Sequence, residues 1–137
     1  MKTRRGVAAV EFALILPLFI FLLLAIVDYG WFFMIELATT NAAREGARAA
    51  TTYAGPCPNA AGQSAASSVV TTYLRQIGQD THATTNVTCT TGAAGEPVFQ
   101  VTTTVLFPQL TGYSLIPMPR TGDLVRAGAQ VTMRGIP

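Results

Sequence analysis

The chain has 137 residues, of which half are hydrophobic and only 12% are charged. This composition is typical of a membrane-anchored protein and leaves room for one small domain beside an anchor. Three of the nine basic residues lie within the first five positions, so the net charge of +2 says little about the rest of the chain. No basic stripe follows, and nucleic-acid binding therefore has no support.

The N-terminal segment combines a basic head with a long apolar run. Lys2, Arg4 and Arg5 form the head, and residues 7–27 form the run. As a helix this run extends about 31 Å, enough to cross a hydrocarbon core of about 30 Å, and membrane helices tolerate the proline at Pro17. The basic head predicts a cytoplasmic N-terminus and an exported remainder. A twin-arginine or other secretory signal fits less well, because the run is longer than about 15 residues and no small-residue cleavage site follows directly.

Glu11 is the one acidic residue in the apolar run. A carboxylate inside an apolar span costs a few kcal/mol unless it is paired, which favours a functional role. Alternatively, Glu11 lies at the headgroup level and the span begins at Phe12. Glu11 is the fifth residue of any chain that begins at Val7, directly after Gly6. This arrangement resembles the prepilin signal of type IV pilins, and the resemblance favours the functional interpretation. It implies a cut after Gly6 and a filament in which Glu11 neutralises the free amine of a neighbouring subunit.

The helix is predicted to continue beyond the membrane, as far as Ala50. Aromatic residues follow the span, as an interfacial belt would: Tyr29, Trp31, Phe32 and Phe33. Small residues then recur at helical spacing: Ala42, Ala43, Gly46, Ala47 and Ala50. Such a stripe lets another backbone approach closely. It packs either on the head of the same chain or against another subunit, and the sequence leaves both interpretations open.

Two segments resemble TadE-like proteins, which are minor pseudopilins of the tight-adherence (Flp) pilus system. They are RRGVAAVEFALILPLF at residues 4–19 and AAREGARAA at residues 42–50. The resemblance implies cleavage between Gly6 and Val7 by a prepilin peptidase, with Glu11 as an assembly carboxylate. It implies as partners this peptidase, the major Flp pilin, other minor pilins and the inner-membrane assembly platform. It further implies an inner-membrane location before assembly and a position on the pilus or cell surface afterwards.

The chain thus divides into a leader at residues 1–6, a helix at 7–52 and an exported head at 53–137. An alternative is an uncleaved single-pass anchor that carries a periplasmic or surface interaction or adhesion domain. In the head, residues 52–63 predict a loop, and apolar spacing predicts an amphipathic helix over residues 65–77. Ser64 is the expected N-cap of this helix, and Gly78 is its expected stop.

Three segments of the head show the alternation of a strand: 83–91, 98–107 and 124–133. Phe99 and Val101 are expected to share one face of the second strand, and Val125 lies on the apolar face of the third. The predicted fold is α+β, with a long N-terminal transmembrane helix and a small head of one amphipathic helix packed on about three antiparallel strands.

Cys57 and Cys89 both follow the span, and an exported head lies in an oxidising compartment. We expect them to form a disulfide, with a metal or redox pair as the weaker alternative. No catalytic motif is found, and His82 is the only histidine. The sequence therefore predicts a protein that is not an enzyme and needs no cofactor or metal.

Overall fold

The computed structural model describes residues 4–53, 55–112 and 117–135, with the backbone alone for Arg4 and Arg5. Lys2 of the predicted basic head lies outside the described residues. The long N-terminal helix, α1, comprises Arg4–Thr51, and Pro17 lies inside it. The hydroxyl group of Thr51 donates to the carbonyl oxygen of Arg48 where the helix ends. The predicted continuation beyond the apolar run is confirmed.

The second helix, α2, comprises Ala60–Gln76 and begins earlier than predicted. Its N-cap is Asn59, whose side-chain oxygen accepts from the N–H of Gly62 at 2.9 Å. The predicted loop over 52–63 is therefore too long, and the prediction of Ser64 as the N-cap is wrong. The hydroxyl group of Ser64 instead donates to the carbonyl oxygen of Ala61 inside the helix. The predicted stop is confirmed, since Gly78 follows α2 with a φ of 68°.

A four-stranded antiparallel sheet follows a short 3₁₀ helix at Asp80–His82. The strands are β1 (Ala83–Thr91), β2 (Pro97–Phe107), β3 (Arg120–Thr121) and β4 (Leu124–Arg134). Their order across the sheet is β1-β2-β4-β3. The three predicted strands are confirmed to within one residue at each end. The two-residue β3, which was not among the predicted strands, forms a hairpin with the start of β4.

The two helices cover one face of the sheet. The C-terminal half of α1 contacts β2, β4 and α2, whereas α2 contacts β1 beside it. Residues that alternate along β2 and β4 point toward the helices and are fully buried, among them Phe99, Val101 and Val125. The core therefore lies between the sheet and both helices, and the C-terminal half of α1 forms a large part of it. The α+β class is confirmed.

Candidate functional site

The N-terminal half of α1 projects from the head without covering contacts. Residues 6–23 are all exposed, and Leu14 and Leu18 reach 76% and 72% exposure. Within the described part of the chain, α1 is the helix that is long and apolar enough to cross a membrane. An uncovered apolar surface of this length is unfavourable in water, which is consistent with a membrane anchor. Glu11 lies on this projecting segment and is exposed within the chain.

Gly6 lies near the start of α1, and no contact with the described residues requires glycine there. A Cβ atom placed on it would meet no atom within 4 Å, and its φ is not positive. Glycine in a helix is less favourable than alanine by about 1 kcal/mol. The chain's own folding therefore gives no reason for glycine at this position. Val7, on the other side of the predicted cleavage site, is 60% exposed.

The stripe of small residues packs inside the head. All five members are buried: Ala42, Ala43, Gly46, Ala47 and Ala50. A Cβ atom on Gly46 would lie 2.6 Å from Cγ2 of Val70 and 3.0 Å from the carbonyl oxygen of Ala66, both on α2. Gly46 thus lies where α1 and α2 approach each other closely, and the other members of the stripe are buried inside the head beside it. With these atoms covered, the contact within the chain is the interpretation that the geometry favours.

A polar cluster joins α1 to the loop that follows β2, and the sequence did not predict it. Asp28 is 2% exposed, and its carboxylate accepts from the backbone N–H of Thr111 at 3.1 Å and from its hydroxyl group at 2.5 Å. The hydroxyl group of Tyr29 donates to the carbonyl oxygen of Pro117 at 3.1 Å. In the sequence, the one sign of this cluster was Asp28 itself, an acidic residue directly after the apolar run. A carboxylate at that boundary needs hydrogen-bond donors.

A second link from α1 reaches the outer edge of β4. The Glu36 carboxylate accepts from the backbone N–H of Gly128 at 3.1 Å. This N–H lies beyond the end of β3, where β4 has become an edge strand. Glu36, Phe32 and Gly128 line a groove of about 370 Å³ at this edge. The helix thereby satisfies one donor of an edge that is otherwise open to pairing.

The predicted disulfide is confirmed between Cys57 and Cys89, whose Cα atoms are 5.6 Å apart. It connects the loop between α1 and α2 to β1, near the end of that strand. The cysteines are separated by 32 residues, so the chain-entropy model gives a stabilisation of about 3–4 kcal/mol. His82 lies in the short 3₁₀ helix. Among the described residues, no group of three His, Cys, Asp or Glu side chains is placed to hold a metal ion.

These features define a class of protein: one with a single N-terminal helix suited to membrane anchoring and a small α+β head built partly on that helix. The family model described as TadE-like protein matches residues 6–48, all within α1. The resemblance to TadE-like proteins is therefore confirmed over the anchor helix, starting at Gly6. No curated protein and no solved structure matches the chain. The match supports a pilus-associated, structural kind of protein.

Proposed function

We propose that this protein is a minor pilin, or pseudopilin, that takes part in assembly or initiation of an Flp-type tight-adherence pilus. A prepilin peptidase cuts its precursor between Gly6 and Val7. The observation that carries the proposal is the TadE-like match, which starts at Gly6 and covers the projecting apolar part of α1 that bears Glu11. In this proposal the N-terminus faces the cytoplasm, and the head is exported across the inner membrane.

Gly6 supports the processing step. Since nothing within 4 Å of its Cβ position requires glycine, an external requirement explains its presence better than the fold does. A peptidase that reads the backbone closely supplies such a requirement, because glycine lacks the Cβ atom that would obstruct the approach. The segment is also accessible, since Gly6 and Val7 are both exposed within the chain.

Glu11 supports the assembly step. It has no partner among the described residues of its own chain and lies on an otherwise apolar helix surface. A carboxylate there becomes favourable in a hydrophobic assembly only when a positive group compensates it. Cleavage before Val7 creates such a group, namely the free amine of a second subunit. The proposed role of Glu11 is therefore to align one subunit's helix with the N-terminus of its neighbour.

The N-terminal half of α1 remains free for packing against another subunit. The small residues between 42 and 50 are buried inside the head, so a neighbouring subunit cannot pack on them. The exposed apolar surface of residues 7–27 remains available. The proposed partners are the peptidase, the major Flp pilin, other minor pilins and the inner-membrane assembly platform.

The experiment is to determine the N-terminal residue of the protein purified from membranes that contain or lack the cognate prepilin peptidase. Mass spectrometry of the intact protein should show a chain that starts at Val7 only when the peptidase is present. The Gly6→Ala variant should insert and fold but stay uncut, since the chain itself has room for the methyl group. A chain that keeps Arg4 and Arg5 in both membranes would refute processing and support an uncleaved anchor with an interaction domain.

A second variant tests the carboxylate separately from cleavage. Glu11→Ala should still be cut and inserted but should fail to co-purify with the other pilins, because the amine of the neighbour is no longer neutralised. Glu11→Asp is the matched control and should retain part of the co-purification. Normal pilus incorporation of Glu11→Ala would refute the role of Glu11 and leave the cleavage result standing.

A further inference from the structure

One end of the head is tied to α1 directly after the apolar run. Val27 is the last residue of that run, and the next two residues, Asp28 and Tyr29, form hydrogen bonds with the loop after β2. Asp28 accepts two hydrogen bonds from Thr111, and Tyr29 donates to the carbonyl oxygen of Pro117. Each residue adds about 1.5 Å along a helix, whereas the headgroup region of a bilayer is about 5–7 Å deep on each side. The loop is therefore held at the level of the lipid headgroups when α1 spans a membrane.

The same end of the head carries exposed leucine side chains. Among the described residues after α1, the large hydrophobic side chains that are exposed are Tyr53, Leu110 and Leu124, at 45%, 59% and 36%. Leu110 lies three residues after the end of β2, and Leu124 is the first residue of β4. The end of β2 and the start of β4 lie side by side, because Phe107 pairs with Val125. The two leucines thus lie at the membrane-facing end of the sheet. Tyr53 lies at the opposite end, where α1 stops.

Trp31 extends this surface onto the helix. It lies three residues after Asp28, is half-buried, and lines with Leu110 and Phe107 a cavity of about 340 Å³. Tryptophan side chains prefer the boundary between the headgroups and the acyl chains, because one part of the ring system is apolar and its N–H is polar. Trp31 and Leu110 therefore have the residue chemistry of an interfacial contact at the height where the loop is tied.

We propose that Trp31 and Leu110 on the helix side, and Leu124 on the other face of the sheet at the same end, together called the membrane-end patch, dock the head on the outer boundary of the lipid bilayer. The bilayer is the occupant because the Asp28 and Tyr29 links fix the patch at the level where the apolar run leaves the hydrocarbon. The inference rests on the proposed anchor role of α1. It adds a second attachment that holds the head in one orientation against the membrane while the subunit awaits assembly.

The test uses the full chain reconstituted in phosphatidylcholine vesicles with either brominated or ordinary acyl chains, since bromine quenches tryptophan fluorescence at short range. Trp31 is the only tryptophan, so Trp31→Phe provides a silent background. Single tryptophans are then placed by Leu110→Trp in the patch, by Tyr53→Trp at the opposite end and by Phe19→Trp in the span. Formation of the disulfide in each variant, read on a non-reducing gel, checks that the head is folded.

The expected result is a loss of fluorescence in brominated vesicles for Leu110→Trp and Phe19→Trp, with emission at shorter wavelength than for Tyr53→Trp, which should not be quenched. Quenching of Phe19→Trp without quenching of Leu110→Trp overturns the docking proposal and leaves the anchor intact. A short emission wavelength of Leu110→Trp without quenching also overturns it, because protein rather than lipid then covers the patch. Absence of quenching at all three positions overturns the anchor and the docking together.

Discussion

Replacement of Gly46 by alanine tests where the stripe of small residues packs. The added Cβ atom would lie 2.6 Å from Cγ2 of Val70 and 3.0 Å from the carbonyl oxygen of Ala66. Val70 cannot rotate away easily, because a β-branched side chain in a helix has one strongly preferred rotamer. The carbonyl group belongs to the backbone of α2 and moves only with that helix. The two helices must therefore separate or shift to accommodate one methyl group.

The size of the effect follows from two opposing contributions. Overpacking of this kind costs about 1–3 kcal/mol, whereas alanine is more favourable than glycine in a helix by about 1 kcal/mol. The Gly46→Ala variant should therefore lose roughly 0–2 kcal/mol of its free energy of unfolding. Gly30→Ala is the matched control, since it is the same change in the same helix with nothing within 4 Å. The control should gain up to about 1 kcal/mol, which leaves a difference of about 1–3 kcal/mol between the two variants.

The assay is urea unfolding of the full chain in a mild detergent, followed by the fluorescence of Trp31. This residue packs against the head's core, so its emission reports whether the head is folded. The two variants should show similar urea dependence and different midpoints. Equal midpoints for Gly46→Ala and Gly30→Ala would refute the close approach of α1 and α2 at Gly46. The stripe would then be free to contact another subunit.

Three further changes test the remaining links of the head. Asp28→Ala should lower the free energy of unfolding by about 1–3 kcal/mol, because the donors of Thr111 lose a buried acceptor. Urea midpoints measure this loss, and an unchanged midpoint would contradict the buried link between Asp28 and Thr111. Cys57→Ser or Cys89→Ser should cost about 3–4 kcal/mol, and each should match the wild-type protein treated with reductant; a larger loss in one variant alone would show a role beyond the crosslink. Glu36→Ala should cost about 1 kcal/mol or less, because its hydrogen bond is open to water, and faster amide exchange at the edge of β4 should accompany it.

Much of the fold follows from short-range patterns. The strand Ala83–Thr91 was predicted with its observed bounds, because the segment is rich in threonine and has Val87 and Cys89 in alternation with threonines. The inward face of β2 follows from the spacing of Phe99, Val101 and Val105, since strand side chains alternate and one face is buried. The exposed apolar part of α1, long enough to span a membrane, follows from length and hydrophobicity alone. In these segments, local preference and tertiary structure agree.

The start of α2 could not be read from local preference. Gly62 suggested a loop, yet it lies inside the helix, and a Cβ atom there would lie 2.8 Å from Cζ of Phe99 and 3.1 Å from the carbonyl oxygen of Ala50. Glycine is needed at this point because three elements meet closely, and this contact depends on residues far away in the chain. Asn59 caps the helix at 2.9 Å, but the sequence offered Ser64 as an equally suitable cap.

The candidate site was predictable in its chemistry and not in its contacts. The relation between Gly6 and Glu11 is local, so the sequence sufficed to propose it. The packing of the small-residue stripe was left open because close approach depends only on small side chains, which suit a neighbouring subunit as well as α2. The link from Asp28 to Thr111 joins residues 83 positions apart, and no periodic pattern connects them.

The unbroken course of α1 has a mechanical consequence. The helix extends from Arg4 to Thr51, and its C-terminal half belongs to the core of the head. The apolar segment and the head therefore move together as one rigid body. From Asp28 to Thr51 the helix is about 35 Å long. A tilt of about 20°, which is usual for membrane helices, displaces its far end sideways by about 12 Å. Any change in the tilt of α1 is therefore transmitted to the outer surface of the head, and contacts that fix the head also fix the tilt.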